Sequence, residues 1–158
     1  MSEILRELAD RIVTELNEIE TVVDRTQQSW QRFQQSGDDL YVDSVALNLH
    51  GFYNGMERLF ELIAATIDRS RPEGNNWHQT LLNQMADEVQ EVRPAVISER
   101  NRVILDDYRR FRHIVRHLYT QQFDAERIQP LVETLPSLFP QVRAELLAFS
   151  TFLGQQSE

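Results

Sequence analysis

Apolar residues fall at Leu5, Leu8, Ile12, Leu16, Ile19 and Val23, with polar residues filling the gaps. That three-to-four spacing lines them up on one side of a helix and predicts a long amphipathic element from Glu3 to about Gln34. Ser36, Gly37, Asp38 and Asp39 form a turn and cap signal, after which Leu40 to about Arg69 reads as a second long helix, antiparallel to the first. The run from Arg71 to Asn76 contains Pro72 and Gly74 and breaks the pattern. Trp77 to about Gln90 then predicts a shorter helix with Leu81, Leu82, Met85 and Val89 on one side, ended by Arg93 and Pro94. Ser98 suits an N-cap with Glu99 in the first turn, for a fourth helix running to about Thr120. Asp124 can cap a last helical region reaching about Leu153. Pro130, Pro136 and Pro140 each remove a backbone donor there, so this region is expected to be kinked or split.

These elements describe an all-α protein, an antiparallel helical bundle of about four to five helices in a single domain, residues 1–158, with only the final GQQSE frayed. Gly51 and Gly55, four apart on the second helix, leave a bare patch better suited to close helix packing than to a ligand. The patch costs about 1 kcal/mol of helix propensity per glycine. Composition agrees with the fold class, since five Gly and five Pro are too few for a turn-rich β architecture. With no cysteine there is no disulfide frame, thiolate metal site or thiol nucleophile. The first twenty residues carry charges throughout and lack a signal-peptide apolar run, so a cytoplasmic location is the simplest expectation. No apolar stretch approaches the roughly 20 residues that a membrane crossing needs.

Charge changes the picture. Against 25 acidic residues stand 16 basic ones, a net charge of −9 that globally repels nucleic acid. Every basic residue is arginine, however, and Arg100, Arg102, Arg109, Arg110, Arg112 and Arg116 all lie between Glu99 and His117. On a helical wheel Ile104, Tyr108, Phe111, Val115 and Leu118 share one face, while Arg109, Arg112, His113, Arg116 and His117 share most of the other. This basic face is expected to lie outside the core. Like charges four apart repel by a few tenths of a kcal/mol per pair, which calls for a compensating anion. Carboxylates of neighbouring helices could supply it; so could a phosphate, whose oxygens match the planar fork of arginine.

His113 and His117 also have the spacing of a two-histidine metal pair. The flanking arginines disfavour a cation, and neither His50, read as structural, nor His78, left unassigned, has a suggestive partner, so no metal site is expected. A histidine and an arginine aimed at a phosphodiester suffice for metal-free RNA cleavage. The imidazole takes the 2′-hydroxyl proton or protonates the leaving oxygen, and the guanidinium stabilises the phosphorane. One histidine serves poorly as both base and acid, so a symmetric dimer that brings two copies of the helix into one cleft is an attractive arrangement.

The stretch FRHIVRHLY, Phe111 to Tyr119, reads Arg112, four residues, His117, one residue, Tyr119. It resembles the RxxxxHxY motif of the HEPN superfamily, specifically of HepT-like toxins. LHGFYNGMERLFELIA, Leu49 to Ala65, looks like the second-helix signature of those proteins, and WHQTLLNQM with RPAVIS, between Trp77 and Ser98, sits where their third helix and connector would. The resemblance covers about residues 40–153. It implies a HEPN-like bundle and a metal-independent endoribonuclease toxin acting on cellular RNA, with tRNA a first substrate to test and no cofactor. It further implies a homodimer, or a higher even oligomer, whose RxxxxH helices meet, and a partner antitoxin that is a nucleotidyltransferase of the MNT type.

Carried over residue by residue, Arg112 would be the phosphate and transition-state arginine, His117 the catalytic base or acid, and Tyr119 the hydroxyl that the antitoxin adenylylates. An AMP on Tyr119 would put an anionic phosphate and a bulky base beside the arginines and block the substrate site. Arg109, His113 and Arg116 lie outside the short motif and are candidates for substrate binding. His117 is about 140° round the helix from Arg112, so arginine reach, a distorted last turn or a partner subunit must complete the set. The alternative function is a non-catalytic HEPN subunit that holds substrate for a nucleotidyltransferase.

Overall fold

The computed structural model describes residues 2–116 and 123–156. Among them are five α-helices: α1 Ser2–Ser36, α2 Leu40–Ile63, α3 Trp77–Ala86, α4 Glu99–Arg116 and α5 Ala125–Gln156. The chain is thus an all-α bundle, as its periodicity predicts. A three-residue turn separates α1 from α2, with Gly37 at φ 69°, a left-handed conformation that favours glycine. Contacts between the two helices step in opposite directions along them: Ser29 Oγ lies 2.8 Å from Ser44 Oγ, and further along, Ile19 faces Gly55. The pair is therefore antiparallel.

Gly55 bears out the close-packing expectation, because a Cβ added there would lie 2.7 Å from Ile19 Cγ1, whereas one on Gly51 would meet Val22 Cγ1 at an ordinary 3.7 Å. The apolar stripe of α1 enters the core, with Ile12 and Leu16 fully buried. α1 packs along both α2 and α5, and α4 packs against α2, α3 and α5.

Three elements depart from the sequence expectation. The second helix does not stay α-helical to Arg69; it widens into a π-helical turn at Ala64–Asp68 and ends on Arg69 with φ 54°. The third helix stops at Ala86 rather than near Gln90. Arg93 is the physical reason for both endings. Its buried guanidinium meets Asp68 at 2.6 and 2.8 Å and also donates to the carbonyls of Gln84, Asp87 and Pro94. It thereby binds the π turn to the end of α3, and the chain that follows α3 folds back as a tight turn bridged between Val89 and Arg93.

The last helix is not split by its prolines. All three are exposed, and two of the carbonyls they leave unpaired, those of Glu126 and Pro136, belong to exposed residues and are cheap to satisfy. The carbonyl of Val132, deprived of its partner by Pro136, accepts a hydrogen bond from Gln27 Nε2 of α1 at 3.1 Å.

The start of α4 follows expectation, since the Asn101 backbone N–H donates to Ser98 Oγ at 3.2 Å. The Glu145 carboxylate of α5 accepts from the Ser98 N–H at 2.8 Å and from the Asn101 side chain at 2.6 Å. This places an anion at the positive end of α4. Further along, Tyr108 donates to the Leu131 carbonyl at 2.7 Å. These contacts fix the helix that carries the arginines. No described helix is long and apolar enough to cross a membrane.

The two glycines separate the packing from the propensity effect. Gly55→Ala should lower unfolding free energy by about 1–3 kcal/mol through overpacking against Ile19. Gly51→Ala should leave it unchanged or raise it by up to about 1 kcal/mol. Urea denaturation of both variants checks the contrast.

Candidate functional site

α4 presents its residues differently from the two-faced wheel. Leu105, Tyr108 and Phe111 are buried as an apolar face should be, but Arg112 is buried as well. The expectation that the whole basic face lies outside the core is therefore corrected. Its physical cause is Glu57 on α2, itself buried, whose Oε1 accepts from Arg112 Nη1 at 2.5 Å. Desolvating a guanidinium is tolerable only with such a partner.

The same carboxylate holds a second group. His78 Nδ1 of α3 lies 2.9 Å from both Glu57 oxygens, and the imidazole stacks on Trp77 with ring centroids 3.6 Å apart. An ionised carboxylate only accepts, so Nδ1 carries the proton and Nε2 is the ring's remaining polar atom. Sequence reading gave His78 no suggestive partner and did not single out Glu57 or Trp77; the structure brings all three to Arg112. The available signal was Glu57 itself, an acid among Tyr53, Met56 and Phe60 on an otherwise apolar helix surface.

Carboxylates also neutralise most of the arginine stripe. Arg109 pairs with Asp106 at 2.7 Å, Arg110 with Asp107 at 2.5 Å, and Arg102 with Glu99 at 2.6 Å, all within α4. Of the two compensations left open by the sequence, acids thus supply much of the charge, chiefly from α4's own previous turn and, for Arg112, from α2.

Arg112 keeps four further N–H donors after its bond to Glu57, and its side chain is 9% exposed. That exposed remainder faces two openings. One is a cavity of about 480 Å³ shared with Glu57, Arg58, Glu61, Trp77 and His78. The other is a small one of about 30 Å³ shared with His78, Arg109 and His113. The candidate substrate-binding residues Arg109 and His113 are thereby placed beside Arg112, His113 on the exposed surface. Arg116 ends the described part of α4, and His117 and Tyr119 lie outside the described residues. No group of three or more His, Asp or Glu side chains suited to a metal ion occurs among the described residues.

Compared with known protein families, residues 44–153 match the one described as HepT-like protein. The chain belongs to the HepT-like family. The match takes in α2 almost entirely, all of α3 and α4, and most of α5, so the Glu57, His78 and Arg112 cluster lies inside the HepT-like region. No curated protein and no solved structure matches the chain.

Removing one partner of the central pair should be costly. Glu57→Ala strands a buried guanidinium and should lower unfolding free energy by about 3–5 kcal/mol. The double change Glu57→Ala with Arg112→Met should cost clearly less than the two single changes added together. Urea unfolding of the four proteins measures that coupling.

Two phenols give a pH signature. Burial, reinforced by the Glu57 carboxylate, holds Tyr53 above the ordinary phenol range, and burial followed by Asp107 does the same for Tyr108. A folded-state value above the unfolded one means that the neutral phenol's stabilisation is complete below about pH 10 and lost as pH rises further. Alkaline titration should show both tyrosines ionising only together with loss of helical circular dichroism.

Proposed function

We propose that this HepT-like protein is a metal-independent endoribonuclease toxin that cleaves cellular RNA, tRNA being a reasonable first substrate. The observation that carries the reading is the motif arginine, Arg112, locked by Glu57 at the edge of a cavity large enough for a nucleotide. A guanidinium already held by a buried carboxylate at the cavity edge can stabilise developing phosphorane charge with little reorganisation during the reaction. His117 acts as the general base or acid on the 2′-hydroxyl or the leaving oxygen. Two copies of α4 in a homodimer, or in a higher even oligomer, supply a base and an acid together. Arg109, His113 and Arg116 bind flanking phosphates.

A nucleotidyltransferase antitoxin of the MNT type neutralises the toxin by adenylylating Tyr119. The reaction joins the α-phosphate of ATP to the phenol oxygen and releases pyrophosphate. The product carries a phosphodiester charge and an adenine beside the arginines, which competes with RNA for them.

A second reading has its own support. Arg112 is largely sequestered by Glu57, as befits a structural arginine in a non-catalytic subunit that holds substrate for a nucleotidyltransferase. Purified protein made without any antitoxin, incubated with total cellular RNA in chelator, separates the two. Cleavage is expected from the wild type and should fall at least about 100-fold in His117→Ala. Absence of cleavage by a wild-type preparation whose mass shows no added AMP would favour the binding subunit.

A further inference from the structure

The cavity beside Arg112 does not end at the catalytic candidates. Trp77 and Glu61 line it, and both also line an adjoining cavity of about 390 Å³ that reaches Arg71 and Gly74. One indole therefore borders two openings while resting on His78, which Glu57 holds in place. Aromatic surfaces positioned in this way stack bases of single-stranded RNA.

Glu61 stands beside the indole and is one-third exposed. Arg71 donates to its Oε2 at 3.1 Å, and among the described residues Oε1 accepts no hydrogen bond. A carboxylate can only accept. On its Watson–Crick edge guanine offers two adjacent donors, N1–H and the N2 amino group. Adenine and cytosine set one amino group beside a ring acceptor, and uracil sets one N–H between two carbonyls. Only guanine meets both oxygens of a carboxylate without an opposed acceptor. Arg58 lines the first opening and Arg71 the second; each side chain is 63% exposed, so each opening has a guanidinium for a phosphate of the same strand.

We propose that Trp77 and Glu61 form a guanine-binding subsite, with Trp77 stacking the base and Glu61 reading its N1–H and N2–H, next to the phosphate that Arg112 engages. The subsite rests on the ribonuclease reading for its substrate, and makes the enzyme select RNA with a guanine next to the cleaved bond. Trp77 is the affinity residue and Glu61 the specificity residue.

Binding of fluorescently labelled, fully 2′-O-methylated pentamers to the intact protein tests this without cleavage, because the methyl group removes the internal nucleophile. UUGUU, UUAUU, UUCUU and UUUUU are titrated by anisotropy. Wild type should bind UUGUU at least about 10-fold more tightly than the other three, the lower range of discrimination by a bidentate base contact. Glu61→Gln should remove that preference and leave the other three affinities within about 2-fold. Trp77→Ala should weaken all four at least about 5-fold, and Trp77→Phe should recover most of the loss, which separates stacking from a folding defect. Equal binding of the four pentamers by wild type, or no measurable binding of any, overturns the proposal, as does a guanine preference that survives Glu61→Gln. Since unmodified RNA with His117→Ala tests cleavage separately, loss of the subsite and loss of the ribonuclease reading give different results.

Discussion

A carboxylate on the inner side of α2 sets the terms for everything around it. Glu57 is buried and cannot stand there alone, because an isolated ion in an apolar interior is too costly. Arg112 from α4 and His78 from α3 both bond to it, so one charged group joins three helices. Hydrophobic contact gives these helices their general proximity; the ion pair fixes where Arg112 sits along α2. Because the arginine is part of that joint, the loss of activity on deleting it would say little about chemistry. Arg112→Lys is the more informative variant, since it keeps the charge and removes the planar fork.

A second buried pair, Asp68 with Arg93, performs the corresponding task at the far end of α3. Between them the two pairs determine how α3 lies on the bundle and hence where Trp77 and His78 are presented. The π turn is part of this arrangement, because widening the end of α2 is what brings Asp68 to Arg93. α3 has only ten residues and a modest apolar face, with Leu81, Leu82 and Met85 buried. It depends on these polar anchors more than the long helices do. The opening beside Arg112 is bordered by the least self-sufficient helix of the fold.

Helix positions were legible in the sequence wherever a stripe of apolar residues repeated over several turns, as in α1, or where cap chemistry was local, as at Ser98. Gly55 was legible for the same reason, since its consequence follows from the absence of a side chain. The shortened α3 and the π turn were not, because both depend on Arg93 reaching Asp68 across 25 positions of chain. The unsplit α5 depends in part on Gln27, 105 positions away, meeting the Val132 carbonyl. Pairing within α4 could have been read from acids placed three residues before Arg102, Arg109 and Arg110. The Arg112 joint could not, since a helical wheel puts an arginine outside unless the neighbouring helix is known to carry an acid.

Charge constrains how such a molecule could hold RNA. With a net charge of −9, the protein repels a polyanion at long range, and counterion release from a broad basic surface is not available to it. Most arginines of α4 are already committed to carboxylates, and Glu57 and Glu61 line the same opening as Arg112. A bare phosphate gains little in those surroundings. Affinity must then come from contacts that operate only at short range: stacking on an indole, hydrogen bonds to a base edge, and a few arginines acting on single phosphates. If the proposed ribonuclease reading holds, an acidic enzyme built this way would ignore most of the nucleic acid it meets and would engage only a strand that can unstack a base into the cleft. On that view the acidic exterior and the aromatic-lined opening are parts of one device, in which general attraction is suppressed so that local fit decides what is held.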